Sequence, residues 1–212
     1  MSALEYIKEK YDLNLNQHRM PIEIPNTNRK DLAKLFYELD YETGAEIGVE
    51  RGNYSEILCK RNPNLHLYCI DAWECYPEYR EHVSQEKLDR FYDETKDRLS
   101  KWDANLIRGF SVDAAKDFDN KSLDFVYIDA NHNFQNVTND ICAWLPKIKK
   151  GGIISGHDFI RRKGTSYQVH VVEAITGYTQ AYRIKPWFVF GRKAIIENER
   201  RDKPRSWMWI KK

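Results

Sequence analysis

The sequence lacks a hydrophobic run long enough to cross a membrane. Its apolar runs are far shorter than the roughly 18 to 20 residues that a transmembrane helix requires. The N-terminal stretch MSALEYIKEKYDL is charged and amphipathic, and it lacks the basic start and the apolar core of a secretory signal peptide. These absences favour a cytoplasmic protein with no membrane partner.

Cysteine pairs at metal-binding spacing are also missing. The four cysteines do not form the CxxC pairs of zinc sites, and three of them fall within or beside apolar segments. Reduced thiols in such places behave as small packing side chains, and we expect that role here. The cysteines are Cys59, Cys69, Cys75 and Cys142.

A third absence is an excess of charge of one sign. The 34 Lys and Arg residues nearly balance the 32 Asp and Glu residues, which leaves a formal net charge of +2. Such a chain has no overall field for holding a polyanion, so its composition does not indicate a nucleic-acid partner. The basic end RDKPRSWMWIKK leaves that partner open, but we expect this stretch to be a packed tail.

The residues that are present predict one domain with a layered α/β fold. Of the 212 residues, 42% are hydrophobic, which is enough for a full core. A short helix is predicted over residues 2–11, and a second helix, RKDLAKLFYEL, follows Asn28 as its N-cap. Its apolar residues recur at three- and four-residue steps, so one face should pack on a sheet.

From residue 45 onward, short apolar runs alternate with helical patterns as far as GGIISG. This alternation predicts βαβ units, hence a doubly wound, mostly parallel sheet with helices on both faces. The late segments AYRIKPW and WFVFGRK are rich in strand-forming residues. We expect them to form a C-terminal antiparallel hairpin, with Pro186 in its turn.

The stretch EIGVERGNYS follows the first of these strands and carries glycines like a nucleotide-binding loop. Gly48 and Gly52 allow a tight turn and a close approach of a ligand, and a helix is predicted to begin just after them. The loop lacks the third glycine of the GxGxxG motif of dinucleotide enzymes. Glu46 precedes the first glycine, and an acid there would repel a pyrophosphate but suit a cationic amino group.

Asp71 ends the second strand, in LYCIDAW, some 20 residues further on. A carboxylate at this point can accept hydrogen bonds from both ribose hydroxyls of an adenosine cofactor. Together, the loop and Asp71 favour an adenosine ligand without a diphosphate, which indicates S-adenosylmethionine (SAM).

On these motifs the chain resembles the class I SAM-dependent methyltransferases from about residue 46 to residue 159. The motifs that carry the resemblance are EIGVERGNYS, CIDAW, RGFSVDAA and LDFVYIDANHNFQNVTNDICAWLPKIKKGGIISGHDF. The last block is similar to the branch of small O-methyltransferases with IDxxH and GGIIxxHD motifs, and it also resembles the macrocin-type sugar enzymes. The resemblance implies a methyltransferase domain over residues 41–212, with residues 1–40 as a helical segment packed on its core.

The resemblance also implies positions for the cofactor. The methionine end would lie at Glu46, Gly48 and Tyr54, the ribose at Asp71, and the adenine at Phe110 and Ser111, with Trp73 over the nucleoside. Gly52, Ser55 and Asp129 complete the expected cofactor-binding set.

Four side chains at the ends of two later strands are candidates for the chemistry, namely Asp129, His132, His157 and Asp158. If the strands are neighbours, these groups converge beside the cofactor loop. His132 could remove the acceptor's proton as a general base, with Asp129 beside it. Asp129, His157 and Asp158 could instead hold Mg²⁺ or another divalent metal.

Two features of the sequence leave metal dependence undecided. The macrocin-type enzymes carry an acid where this chain has His157, and histidine suits softer metals better than magnesium. In the alternative interpretation, the aspartates only cap helices and the histidines are ordinary hydrogen-bonded loop residues.

The sequence gives little information about the acceptor substrate. The polar, aromatic segment ECYPEYREHVSQEK lies where a lid or an acceptor-binding loop is expected. The basic residues Arg161, Arg162 and Lys163 could meet an acidic acceptor, although a solvated loop is the preferred interpretation.

We therefore expect a SAM-dependent methyltransferase that acts on a hydroxyl of a small molecule, with a sugar or glycoside as the first candidate. An RNA or protein methyltransferase is disfavoured because IDANH stands where amine-methylating enzymes carry an NPPY-like tetrapeptide. A dinucleotide-dependent oxidoreductase or epimerase is disfavoured by Glu46 and the missing glycine. A non-catalytic cofactor-binding subunit is a further alternative, and the sequence leaves homo-oligomer formation open.

Overall fold

The computed structural model describes residues 1–16, 18–76, 84–161 and 169–212. The α-helices are α1 (Ala3–Lys10), α2 (Arg29–Glu38), α3 (Asn53–Arg61), α4 (Gln85–Leu99), α5 (Ser111–Ala114), α6 (Phe134–Trp144) and α7 (Val171–Ala181). The strands are β1 (Ile22–Ile24), β2 (Thr43–Ile47), β3 (His66–Asp71), β4 (Ala104–Arg108), β5 (Leu123–Ile128), β6 (Ile148–Gly156), β7 (Phe188–Phe190) and β8 (Trp207–Ile210). Short 3₁₀ turns follow α5 and α6.

The strands form one sheet in the order β1-β7-β8-β6-β5-β2-β3-β4. The pairs are parallel except for those of β8, which runs antiparallel to β6 and to β7. From β2 the sheet grows in one direction through β3 and β4 and in the other through β5 and β6, so the strand order reverses between β2 and β5. The predicted doubly wound, mostly parallel sheet with an antiparallel C-terminal part is confirmed.

Both faces of the sheet are covered, as a doubly wound fold requires. Within β5, Phe125 and Tyr127 belong to one buried cluster and Val126 and Ile128 to the other. This alternation follows from the two-residue period of a strand. The first cluster is completed by α1, α2 and α3, and the second by α6 and α7.

The helix α2 forms as the sequence predicted. The Asn28 side chain accepts a hydrogen bond from the Lys30 amide at 2.9 Å and caps the helix. Leu32, Leu35 and Phe36 are fully buried. The Phe36 ring stacks on that of Phe125 with 4.0 Å between centroids, so this helix is packed directly on the sheet.

The predicted hairpin between AYRIKPW and WFVFGRK is wrong in its first strand. The helix α7 runs to Ala181, and the Ile184 amide donates back to the Thr179 carbonyl at 2.8 Å. This stretch closes the helix end, so its backbone is not available for a strand. The antiparallel partner of β7 is β8, in which Phe188 pairs with Met208 and Val189 with Trp207.

The C-terminal stretch is a packed tail, as expected. Trp207, Met208 and Trp209 are buried in β8, which lies between β7 and β6. The rings of Trp207 and Trp209 stack with 5.2 Å between their centroids. A strand inside the sheet is not a surface for an external ligand.

The N-terminal segment contains more than helices. Besides α1 and α2 it supplies β1, which pairs in parallel with β7 at the sheet edge. Cys59 and Cys69 are buried thiols as predicted, whereas Cys75 and Cys142 are exposed. Among the described residues, no helix is both long and apolar enough to span a membrane.

Candidate active site

A cavity of about 480 Å³ lies at the carboxyl edge of the sheet, where the strand order reverses. Loops that follow β2, β3, β4 and β5 form its wall, the position at which doubly wound proteins bind ligands. Its volume is in the range of small-molecule sites. Most of the predicted site residues line it: Glu46, Gly48, Tyr54, Asp71, Trp73, Phe110, Ser111, Asp129 and His132.

Gly48 brings two loops into backbone contact. Its φ is +87°, and a Cβ atom there would come within 2.3 Å of the Asp129 carbonyl oxygen. Only glycine permits this combination of conformation and contact. Gly52 adopts φ of +69° just before α3. It is not among the described residues that line the cavity, so its role is to shape the loop.

Glu46 is buried at one end of the cavity. The Ser55 hydroxyl donates a hydrogen bond to its carboxylate, and burial raises the pKa of Glu46 to about 8. Ser55 itself is fully buried and supports Glu46 from behind. The Tyr54 hydroxyl donates to the Arg29 carbonyl at 2.9 Å. This bond holds the Tyr54 ring in the cavity wall near Glu46.

Asp71 organises the loop that follows β2. One carboxylate oxygen accepts the amides of Val49 and Glu50, both at 2.8 Å, and the other accepts the Trp73 amide at 2.9 Å. Each carboxylate oxygen retains acceptor capacity beyond these bonds. Asp71 therefore lies at the wall with room to accept a ligand hydroxyl while it holds the loop in place.

Trp73 supports the same loop. Its indole N–H donates to the Glu50 carbonyl at 2.7 Å, and its ring packs edge-on against Tyr92 with 5.0 Å between centroids. Only 1% of Trp73 is exposed, so its ring is a fixed part of the wall. Its predicted contact with a nucleoside stays a prediction.

At the other end, Phe110 and Ser111 mark the start of α5. Phe110 is exposed and meets Tyr76 edge-to-face at 5.4 Å. The Ser111 hydroxyl accepts a hydrogen bond from the Trp144 indole at 2.9 Å. This end therefore offers an aromatic face beside polar groups, which suits a purine ring.

Asp140 also lines this end, and the sequence analysis missed it. It is buried on α6 close to Ser111, and burial raises its pKa to about 7. A sequence clue existed, because Val137, Ile141 and Trp144 form the buried stripe of α6. Asp140 lies on that stripe, where an acid is unusual.

The four candidates for the chemistry converge as predicted, since β5 and β6 are neighbours. The His132 Nε2 atom lies 3.3 Å from Asp129 Oδ1 and 3.4 Å from Asp158 Oδ2. The His157 Nδ1 atom lies 3.1 Å from Asp158 Oδ2 and 3.8 Å from Asp129 Oδ2. All four side chains are largely shielded from solvent.

The two histidines occupy different places in this cluster. Ligand atoms of Asp129, His132 and Asp158 all lie within 4.8 Å of one another, a group of donors that fits a metal ion. The predicted set had His157 in place of His132. Burial lowers the pKa of His157, but the hydrogen bond with Asp158 and the negative charges of Asp129 and Asp158 outweigh burial and leave it raised. Its Nε2 atom is buried without a hydrogen-bond partner among the described residues.

The alternative interpretation of Asp129 as a helix cap does not hold. The helix α6 is capped by Asn133, whose side chain accepts the Asn136 amide at 2.8 Å. Asn131 forms a turn by accepting the Asn133 amide at 3.0 Å. Asn131 and Asn133 thus form the turn and the helix cap, and the Asp129 carboxylate faces the two histidines.

Two predicted acceptor segments lie partly or wholly outside the described residues. The centre of the expected lid, residues 77–83, and the basic residues Arg162 and Lys163 are among them. Arg161 is described and pairs with Glu173 at 2.9 Å on the surface, as the solvated-loop interpretation expects.

Arg29, the first residue of α2, lines the cavity beside Tyr54 and was also missed. Its guanidinium carbon lies 5.3 Å from the centroid of the Tyr54 ring. No motif in the sequence marks this residue, because the fold alone brings the N-terminal segment to the cofactor loop.

The fold is shared with solved O-methyltransferase structures at low sequence identity. The O-methyltransferase TomG from Streptomyces achromogenes, involved in tomaymycin synthesis and solved with SAM, is 15% identical with a TM-score of 0.60. An O-methyltransferase from Bacillus cereus, solved with S-adenosylhomocysteine (SAH), gives the same two values. Each comparison covers 99% of this chain and 90% of the other.

No curated protein matches the sequence. The sequence does match the family model described as a methyltransferase domain, over residues 45–159. The matched segment begins within β2, just before the glycine loop, and ends with the HDF motif. It contains most of the residues that line the cavity. Because this match spans more than half of the sequence, the chain belongs to this family of methyltransferase domains.

Proposed function

We propose that this methyltransferase domain transfers the methyl group of SAM to a hydroxyl of a small molecule, with a sugar or glycoside as the first acceptor to test. One observation carries the proposal: a single cavity at the switch point brings Glu46, Asp71 and Ser111 together with the His132 and Asp129 pair. A cofactor site and a proton-accepting group thus share one space.

The cofactor fits the wall by its chemistry. Glu46 suits the ammonium of the methionine part, and Asp71 suits the ribose hydroxyls. Ser111, Asp140 and the exposed ring of Phe110 suit the adenine. Glu46 precedes the first glycine of the loop, where a dinucleotide fold presents glycine amides to a pyrophosphate, so a cofactor without a diphosphate is favoured.

The reaction needs positioning and one proton acceptor. The acceptor oxygen attacks the methyl carbon in line with the carbon–sulfur bond, which breaks and leaves SAH. The proton of the acceptor hydroxyl passes to the other ring nitrogen of His132, Nδ1, because Nε2 carries the proton that it donates to the Asp129 carboxylate. Asp129 and Asp158 stabilise the resulting imidazolium, since both carboxylates lie within 3.4 Å of Nε2.

A divalent metal is part of the proposal as a second mode of the same cluster. Asp129, His132 and Asp158 would hold it, with His157 beside them. Such an ion acidifies and orients a hydroxyl when it is bound. A mixed set of imidazole and carboxylate donors suits manganese, iron or zinc better than magnesium. A metal ion would bind His132 at Nε2, which faces both carboxylates. An imidazole bound to a metal ion is a poor proton acceptor, so the two modes exclude each other.

The first experiment is calorimetric titration of the protein with SAH and with NAD, each with and without magnesium or manganese. We expect saturable binding of SAH and none of NAD. Binding of NAD alone, or of neither compound, would overturn the proposal. Release of SAH from SAM in the presence of hydroxylated sugars, catechols or RNA then tests the acceptor class, and chelation with EDTA separates the metal-bound from the metal-free mode.

A further inference from the structure

Arg29 brings a positive charge to a cavity in which the other charged side chains of the wall are carboxylates. It is the only arginine or lysine among the described residues that line the cavity. The carboxyl side chains in the same wall are those of Glu46, Glu50, Asp71, Glu74, Asp129 and Asp140. Arg29 lies outside the segment that matches the family model, which begins at residue 45.

The backbone of Arg29 is fixed from several directions. Its amide donates to the Asp202 carboxylate at 2.7 Å, and its carbonyl accepts the Tyr54 hydroxyl at 2.9 Å. The Asn28 cap holds the next amide, that of Lys30. The side chain of Arg29 therefore leaves the helix from a point that is held by the cofactor loop and by the C-terminal segment.

The guanidinium has hydrogen-bonding capacity to offer. It lies over the Tyr54 ring, where a cation is attracted to the aromatic face. Among the residues that the structure describes, none forms a salt bridge with it or accepts a hydrogen bond from its N–H groups. The charges of Asp129 and Asp202 act on it only from beyond salt-bridge distance.

Arg29 lies at the same end of the cavity as Glu46. Its charge acts on the Glu46 carboxyl and on Tyr54. An amino-acid group carries one ammonium and one carboxylate, so a site for it needs an acid and a base side by side. Glu46 supplies the acid, and the planar fork of a guanidinium matches a carboxylate in two parallel hydrogen bonds.

We propose that Arg29 binds the α-carboxylate of the cofactor's methionine part, with Glu46 facing the ammonium. This inference rests on the proposed use of SAM. It means that the N-terminal segment, which the family match does not include, completes the cofactor site. A carboxylate on the acceptor is the other source of the same chemistry, and the experiment separates the two.

The test compares SAH with its decarboxylated analogue S-adenosyl-3-thiopropylamine, which keeps the adenosine and the amine but lacks the carboxylate. Calorimetric titration of the wild type should show a preference for SAH of roughly 10- to 100-fold, the size expected for a charged hydrogen-bonded pair. Arg29→Met should bind both compounds equally, with its SAH affinity reduced by that factor. Lys30→Met, which removes an exposed charge from the same helix turn, should keep the wild-type preference.

Each other outcome has a separate meaning. A wild type that fails to bind SAH at all contradicts the proposed function itself. A wild type that binds both compounds equally, or an Arg29→Met variant that retains the preference, overturns the assignment of Arg29. If Arg29→Met keeps its SAH affinity and only the KM of a carboxylate-bearing acceptor rises, the carboxylate belongs to the acceptor and the assignment is again overturned. The wild-type comparison remains valid even if Arg29→Met does not fold, which thermal unfolding will show.

Discussion

Two buried carboxyl groups define the electrostatics of the cavity at the level of single residues. Burial raises the pKa of Glu46 to about 8 and that of Asp140 to about 7. Perturbed carboxyl groups of this kind concentrate at functional sites because ligand binding needs them and folding does not. Both groups are therefore expected to lower the stability of the ligand-free protein at neutral and higher pH.

Asp140→Asn tests this expected loss of stability. The folded protein holds the Asp140 proton more tightly than the unfolded chain, since its pKa is raised from 3.8 to about 7. Stability is then lost as pH rises between these values, by at most about 1.4 kcal/mol per unit. We expect the stability advantage of Asp140→Asn over the wild type to grow from pH 5 to pH 7 and to level off above it, as measured by urea unfolding.

The control is Asp119→Asn, which removes one negative charge at an exposed position. If Asp119→Asn shows the same pH trend, the effect belongs to net charge and not to the burial of Asp140. A constant difference between Asp140→Asn and the wild type across this pH range would contradict the assignment.

His132→Asn tests the proton acceptor. The variant keeps a polar side chain but loses the group that takes the acceptor's proton, so kcat should fall by roughly 10²- to 10⁴-fold. The dissociation constant for SAH should be unchanged, because the proposal places His132 at the acceptor hydroxyl and not at the cofactor. Steady-state kinetics and titration with SAH measure the two quantities.

His66→Asn is the matched control, since His66 lies at the start of β3, away from the carboxyl edge, and pairs with Asp103 on the surface. Full activity of His132→Asn would remove His132 as the base. A large loss of SAH affinity in the same variant would show that it shapes the cofactor site instead.

At the level of structural elements, the loop after β2 depends on Gly48. Gly48 has φ of +87° and closely approaches the backbone at Asp129, so this loop and the loop after β5 are positioned together. Gly48→Ala should weaken SAH binding and lower kcat in the same variant, because the added Cβ must push the two loops apart.

Gly177→Ala is the control for Gly48→Ala. Gly177 lies within α7, and a Cβ there meets no atom within 4 Å. Alanine is the better helix former by about 1 kcal/mol, so this variant should be as active as the wild type and at least as stable. Titration with SAH and thermal unfolding compare the two variants. Unchanged binding in Gly48→Ala would contradict the described loop contact.

In the whole molecule, both terminal segments belong to the core that carries the site. The helix α2 covers the sheet through Phe36, and β1 extends the sheet beside β7. The C-terminal β8 lies between β7 and β6, and Asp202 holds the amide of Arg29. The family-matched segment is therefore covered by α2 on one face and extended at one side by strands from both terminal segments.

Phe36→Ala tests the contribution of the N-terminal segment. Removal of a fully buried aromatic ring typically costs about 3–5 kcal/mol, a large part of the net stability of a domain. Tyr37→Ala, which truncates the exposed neighbouring ring, should cost far less. Urea unfolding measures both, and equal effects would mean that α2 is not packed on the sheet as described.

Much of this fold could be predicted because its cause is local. Periodic apolar residues and the Asn28 cap marked α2, and the alternation of strands and helices required a parallel sheet. The convergence of Asp129, His132, His157 and Asp158 also followed, since the carboxyl ends of adjacent parallel strands share one edge. The prediction of a strand in AYRIKPW was wrong. Its residues have strand propensity, but the end of α7 uses this stretch, as the hydrogen bond from the Ile184 amide to the Thr179 carbonyl shows.

What the sequence alone determined is the alternation of strands and helices from β2 to β6, the glycine loop and the order of the motifs, because these depend on neighbouring residues. The tertiary structure decided which side chains share one cavity. Arg29 is over 15 residues before the glycine loop, and Asp140 lies within an apolar helix stripe, so neither belongs to a motif. The grouping of His132 with Asp129 and Asp158 likewise depends on the three-dimensional path of two loops, because sequence spacing fixes the strand that a residue follows but not the direction in which its side chain points.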